Sequence, residues 1–337
     1  MRLKIAIVLI ITGACLAWVL WGIDFSQVGD AIGQADFRWV LPVFGVYLVN
    51  NCIRAVRLRL LLDRPDISFK EMFTVTTIGF LAINVIPLRM GEFVRPYLLL
   101  ERDQVPFGTS LAAIFLERLC DLLSLMTMLL LVGWLVDLPD QGIVVGEIDV
   151  FAAGQKVVGT AIGCGLLLLV GLLIIGKPLI TFLVRLVPVE ALKVRVEKLL
   201  VTFHTGLVGL VRRPGAALAV IAVTAWLWTN IVIATWSVMN GFEGVPARWD
   251  SALTVWTVTI TGMTVAPTPG FWGAYEAFCS AAVMLWGVDR EVATAFAVTL
   301  HLTQFLFIVC LGGSFLLLTG LSLRNVVEAS RKTASED

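Results

Sequence analysis

Charge is scarce in this 337-residue chain. Lys, Arg, Asp and Glu make up 15% of it, against about a quarter in a soluble domain. Hydrophobic residues reach 58% and the mean hydropathy is +0.92, so an ordinary soluble enzyme is excluded. The charges present cancel, 25 basic against 25 acidic, so there is no bulk basic field to attract nucleic acid. Histidine is rarer still, with His204 and His301 far apart. There is no CxxC and no Cys/His cluster, so neither metal nor cofactor is expected. The six cysteines (Cys15, Cys52, Cys120, Cys164, Cys279, Cys310) sit in or beside apolar runs. They read as small packing residues, not disulfides.

What is abundant is apolar sequence in runs near the roughly 20 residues that cross a bilayer as a helix. No convincing cleavage site follows the first run, so helix 1, about 3–23, reads as uncleaved. Basic residues favour the cytoplasmic side, and Arg2 and Lys4 put the N-terminus there. The connector 24–38 carries Asp24, Asp30 and Asp36 with only Arg38. Helix 2, about 39–56, returns to a basic segment with Arg54, Arg57, Arg59, Arg64 and Lys70. Segment 71–100 is broken at Ile86-Pro87-Leu88-Arg89-Met90-Gly91-Glu92, because proline and glycine together stop a helix. A helix at about 107–136 leads to the loop Asp137–Asp149, which lacks lysine and arginine. That loop lies outside, so 71–100 must enter and leave from the cytoplasmic face as a re-entrant hairpin.

The second half repeats this order inverted. A helix at about 155–176 goes inward to a basic stretch containing Lys177, Arg185, Lys193, Arg195, Lys198, Arg212 and Arg213. Part of it, about 178–208, fits an amphipathic helix along the interface. A helix at about 215–238 goes out. Segment 250–286 is broken at Ala266-Pro267-Thr268-Pro269-Gly270-Phe271-Trp272-Gly273, and a helix at about 291–320 leads to Arg324, Arg331 and Lys332. The fold class predicted is an all-α polytopic membrane protein, six full transmembrane helices plus two re-entrant helical hairpins. Residues 1–337 form one membrane domain, with repeats 1–136 and 155–320 and a cytoplasmic tail 321–337. Pro87-x3-Gly91 matches Pro269-x3-Gly273, and Arg118 and His301 lie nearly equally far downstream. Inverted repeats with interrupted helices point to a transport site near the midplane. Trp18, Trp21, Trp39, Trp134, Trp249 and Trp286 fall near the predicted outer ends, as an aromatic belt does.

An ionisable side chain at membrane depth survives by pairing, by lining water, or by meeting a charged ligand. Those here are Arg89, Glu92 and Arg95 at the first break, Glu117, Arg118 and Asp121 in the next helix, and Glu276 after the second break. Glu117 and Asp121 share a helical face, and so do Glu92 and Arg95. An arginine grips phosphate through two parallel N–H bonds. One reading makes Arg89, Arg95 and Arg118 a lipid-phosphate site; the other has them pair with Glu92, Glu117 and Asp121 and lock the hairpin. Glu276 needs a partner, a proton or water. His301 is either a proton carrier or a hydrogen-bonded packing residue. Asn84 is placed to cap backbone groups freed by the first break, and His204 has no assigned role.

These residues carry a resemblance. Asn84-Val85-Ile86-Pro87-Leu88-Arg89-Met90-Gly91-Glu92-Phe93-Val94-Arg95 resembles the N-x-x-P-x-R-x-G-E-x-x-R signature of the flippase-like family. That family is also called the lysylphosphatidylglycerol synthase transmembrane-region family. Glu117-Arg118-Leu119-Cys120-Asp121 is similar to its E-R-x-x-D helix, and Pro267 through Glu276 to its P-x-P-G-x-x-G-x-x-E element. The resemblance implies a protein that moves lipids between leaflets. In bifunctional members the lipid is lysyl- or alanyl-phosphatidylglycerol; other members are linked to hopanoid, polyprenol-glycan or phospholipid pathways. The chain stops at Asp337, so an aminoacyl transferase domain is not expected, and His301 stands where the resemblance leads one to look for arginine.

The function expected is an inner (plasma) membrane lipid flippase or transporter, not an enzyme, with both termini cytoplasmic. Its partner is a phospholipid or polyprenyl/isoprenoid lipid, and a lipid- or glycan-biosynthetic enzyme or an oligomer is compatible with it. The alternatives are an intramembrane transferase with Glu92, Glu117 or Asp121 as general base, and a non-transporting scaffold.

Overall fold

The computed structural model describes residues 12–86, 91–136, 144–145, 148–149, 160, 163–165, 167–188, 190–266, 268–322, 326 and 328–329. Pro87, Arg89 and Pro267 therefore lie outside the described residues, as do 1–11 and most of 137–162 and 323–337. Among the described residues the chain is helical, apart from a two-residue antiparallel ladder, Val144–Val145 (β1) against Ile148–Asp149 (β2).

Helix α1 is described over residues 12–20. It is followed by α2 (Phe25–Gln34), α3 (Val40–Leu62), α4 (Phe69–Val85), α5 (Val94–Asp103) and α6 (Phe107–Leu135). Residues 167–174 form α7. Then come α8 (Lys177–Arg185), α9 (Glu190–Val211), α10 (Pro214–Met239), α11 (Trp249–Val265), α12 (Ala274–Met284) and α13 (Arg290–Leu318). Three stretches are long and apolar enough to cross a membrane: Phe37–Leu62, Pro214–Met239 and Arg290–Leu318. At about 1.5 Å per residue each exceeds the ~30 Å hydrocarbon core.

Local chemistry explains the boundaries. Asp24 caps α2 by accepting from the backbone N–H groups of Ser26 and Gln27, and Ser68 caps α4 through Glu71 N–H. Pro214 sits in the first turn of α10, where its missing N–H has no consequence. Three boundaries correct the sequence expectation. The connector 24–38 contains the amphipathic helix α2, whose apolar Val28, Ala31 and Ile32 pack against the core. Helix α3 continues to Leu62 instead of ending near 56, because Arg57 and Leu58 are buried. The stretch 178–208 divides between α8 and α9.

Each broken segment folds back on itself. A Cβ on Gly91 would fall 2.3 Å from the Ala82 carbonyl carbon, so Gly91 lies directly on the α4 backbone. A Cβ on Gly79 would fall 2.1 Å from Cγ of Arg95, so α5 returns along α4 with an arginine seated on a glycine. In the second segment Gly262 of α11 seats the ring of Phe278 of α12, with a would-be Cβ 2.0 Å away. The hairpins pack into two apolar cores. One joins α3, α4, α5, α6 and α9; the other joins the N-terminal part of α3 with α10, α11, α12 and α13. Helix α3 belongs to both and lies along α10 in the most extensive helix contact of the fold.

Candidate functional site: a polar cavity between two helical hairpins

Helices α3 and α6 bring the acids and arginines together. Arg57 Nη1 donates to Asp121 Oδ1 at 2.7 Å, and its Nε is 3.7 Å from Glu117 Oε1. Arg95 Nη1 donates to Glu117 Oε2 at 2.7 Å. Arg57, Arg95 and Glu117 are each at most 1% exposed. A charge taken out of water carries a desolvation penalty of several kcal/mol unless it is paired, so these three are held by one another. Arg118 differs. Its Nη2 is 3.5 Å from Asp121 Oδ2, its side chain is 37% exposed, and its Nε and Nη2 make no hydrogen bond to the described residues.

Arg118 and Asp121 border a cavity of about 460 Å³, together with Asn50, Arg54, Asn84, Glu92, His301 and Gln304. That volume falls in the range of small-molecule sites. Arg54 is oriented by its own helix: Asn50 Nδ2 donates to the Leu227 carbonyl at 3.0 Å, and Asn50 Oδ1 accepts from Arg54 Nε at 2.8 Å. The Arg54 guanidinium lies 4.5 Å from the centroid of Phe80, within cation–π range. Apart from Asn51 and Thr264, the remaining wall is apolar and aromatic, with Tyr47, Trp228, Trp256, Tyr275, Phe305 and Phe307.

The second hairpin contributes a buried acid–histidine pair. His301 Nδ1 is 2.6 Å from Glu276 Oε1, and His301 Nε2 is 3.1 Å from the Gly270 carbonyl. Glu276 Oε2 accepts from Gly273 N–H at 2.7 Å. The imidazole is stacked on Tyr275, with centroids 4.3 Å apart and planes inclined by 7°. Gly270 has φ +58 and Gly273 φ +82, conformations open to glycine. A Cβ on Gly270 would fall 3.1 Å from the Asn84 carbonyl oxygen, so the turn of the second hairpin meets the C-terminal end of α4 at the cavity.

The structure thus divides the residues singled out from sequence. Glu92, Arg118, Asp121 and His301 share the cavity. Arg95 and Glu117 do not border it; Arg95 pairs with Glu117 across to α6, one of the acids named in the locking alternative. The partner of Glu276 is His301. Asn84 Nδ2 donates to the Phe80 carbonyl within α4; the capping expected of it falls on residues 87–90, outside the described residues. His204 packs beside Gly176. Among the described residues no group of three or more His, Cys, Asp or Glu could hold a metal.

Arg54 and Arg57 escaped the sequence reading because they were counted as cytoplasmic positive charge. Asn50, Arg54 and Arg57 recur at four- and three-residue intervals. That polar stripe, continuous with an apolar helix, was the available signal that α3 turns these groups inward.

Over 129 residues the chain is 30% identical to a protein named Glycosyltransferase AglD from Haloferax volcanii, a match covering 37% of this chain and 20% of that one. The chain thus spans about a fifth of that relative's length. No solved structure matches. The Lysylphosphatidylglycerol synthase TM region family matches residues 3–312, through both hairpins and nearly all of α13. With its long apolar helices and a match over most of its length, this chain is a membrane protein belonging to the Lysylphosphatidylglycerol synthase TM region family.

Proposed function

We propose that the protein moves a lipid with an anionic or phosphate-bearing headgroup between the leaflets of the inner membrane. The observation that carries this reading is the chemistry of the cavity. Arg118 borders it, and two of its nitrogens make no hydrogen bond to the described residues; Arg54 is oriented at its wall, and polar side chains such as Asn51, Asp121 and Gln304 alternate there with a larger aromatic and aliphatic surface. Such a site suits a charged headgroup attached to apolar chains. Glu117 and Asp121 fix the neighbouring arginines and temper the positive field, so the lipid can leave.

In this reading both halves form an inverted repeat with six crossings, two re-entrant hairpins and both termini cytoplasmic. Helix lengths support it: 17, 10 and 29 residues for α4, α5 and α6, against 17, 11 and 29 for α11, α12 and α13. One interval of 183 residues relates Gly79 to Gly262, Arg95 to Phe278 and Arg118 to His301. The contact between Gly270 and the Asn84 end of α4 serves as the gate.

The test is reconstitution into vesicles carrying a fluorescent phospholipid or a fluorescent polyprenyl phosphate. The wild-type chain accelerates leaflet exchange of at least one of them, and the Arg54→Gln/Arg118→Gln variant does not. No acceleration across the panel, or full activity in the double variant, refutes the reading.

The relative named as a glycosyltransferase favours a second reading, a transferase acting on a lipid-linked substrate. Glu117 and Asp121 are engaged by guanidinium groups, which leaves Glu92 on the cavity wall as the general base. Turnover of a lipid-linked sugar by the purified chain, abolished by Glu92→Gln, distinguishes it from transport.

A further inference from the structure

We propose that Glu276 and His301 form a proton-binding site that latches the tip of the second hairpin, so that the cavity opens when this proton leaves. The argument is one of hydrogen-bond counting. Both ring nitrogens of His301 face oxygen: Nδ1 faces Glu276 Oε1 at 2.6 Å and Nε2 faces the Gly270 carbonyl at 3.1 Å. A carbonyl only accepts, so Nε2 must carry hydrogen to make that bond. A proton must also lie between Nδ1 and the carboxylate. The pair therefore holds two protons, as imidazolium with carboxylate or as neutral imidazole with carboxylic acid. In either form its net charge is zero, which suits its burial.

Removing one proton leaves a carboxylate and a neutral ring with one N–H. If that hydrogen stays on Nδ1, the Nε2 lone pair faces the Gly270 oxygen. If it stays on Nε2, the Nδ1 lone pair faces a carboxylate at 2.6 Å. The first alternative is the less repulsive, so deprotonation releases Gly270. Gly270 lies in the 3-10 turn Pro269–Phe271 and touches the Asn84 backbone at the C-terminal end of α4. Release therefore loosens the contact between this turn and α4.

The other groups facing the pair do not replace the missing hydrogen bond. Tyr275 and Trp272 pack against the ring through their faces. From α1, Cys15 approaches the Gly273 backbone, and Cys279 lies one turn beyond Glu276 on α12. Tyr47, Arg54, Arg118, Asp121 and Glu92 border the same cavity from α3, α6 and the first break. The pair also has a second side: Glu276 lies in the wall of a separate cavity of about 180 Å³ beneath α1, while His301 borders the large one.

The consequence for transport rests on the lipid-carrier reading; the latch itself does not. Hydrogen–deuterium exchange of the 266–273 segment is measured in nanodiscs on the full chain between pH 5 and 9, after correction for intrinsic exchange. The wild type shows a stepwise loss of protection as pH rises. His301→Arg keeps a permanently charged donor and abolishes the step with protection retained. Glu276→Gln offers an amide N–H to Nδ1 and its oxygen to Gly273 N–H, which keeps hydrogen on Nε2, and it too abolishes the step with protection retained. Lack of a step in the wild type, or the same step in both variants, overturns the latch. A step in exchange without lipid movement in vesicles would uphold the latch and refute the transport reading.

Discussion

Replacing Glu117 by glutamine should separate the locking charges from the binding charges. The Glu117 carboxylate is the hydrogen-bond partner of Arg95 and lies 3.7 Å from Arg57 Nε. Both guanidiniums are buried, and the amide leaves Arg95 with no counter-charge at hydrogen-bond distance. Breaking a buried pair by neutralising one partner destabilises by about 3–5 kcal/mol. At roughly 2 °C per kcal/mol, the unfolding midpoint in detergent falls by about 6–10 °C. Arg118→Gln removes a 3.5 Å pair from a side chain 37% exposed, worth at most about 1 kcal/mol, so the midpoint moves by about 2 °C or less. Thermal unfolding followed by size-exclusion fluorescence of the two variants measures the difference. Equal shifts, or an undisturbed Glu117→Gln, would refute the division into lock and site.

Three other outcomes follow from the same geometry. Gly79→Val and Gly262→Val push side chains into Arg95 and Phe278, and overpacking of about 1–3 kcal/mol each should lower the thermal midpoint. Asn50→Ala frees Arg54 from its hydrogen bond and should weaken lipid binding while leaving helix content by circular dichroism unchanged. In the loop between α3 and α4, hydrogen bonds from the Arg64 guanidinium hold the Asp66 carboxyl below its usual range. A depressed acid contributes stability fully above its ordinary value, about 3.9. That contribution disappears as pH falls through the lowered value, so the difference in midpoint between wild type and Asp66→Asn should vanish on acidification.

The helical fold was legible because membrane helices announce themselves by length and apolarity, and the breaks because proline and glycine interrupt them within a few residues. Glu92, Arg118, Asp121 and Glu276 stood out as charges inside apolar sequence. The pairings were not legible. Arg57 meets Asp121 across 64 residues and Arg95 meets Glu117 across 22, and no local pattern records such distances. Arg54 and Arg57 were read as the basic end of a helix because sequence gives depth along an axis, not which way a helix face turns. Glu92 and Arg95 share a face, yet Gly79 admits the Arg95 chain onto α4 and carries its guanidinium toward α6. For His301 the sequence left packing and proton transfer open; the two acceptors on its ring give it a partner and a candidate role.

The central claim is that the cavity bordered by Arg54 and Arg118 holds a lipid headgroup. Native mass spectrometry of the full chain released from nanodiscs tests it most directly. The wild type should retain a phospholipid or lipid-phosphate adduct, and Arg54→Gln/Arg118→Gln should lose it, with affinity reduced about 10²- to 10⁴-fold for two lost charge-assisted bonds. The same adducts at the same occupancy in both proteins would contradict the claim.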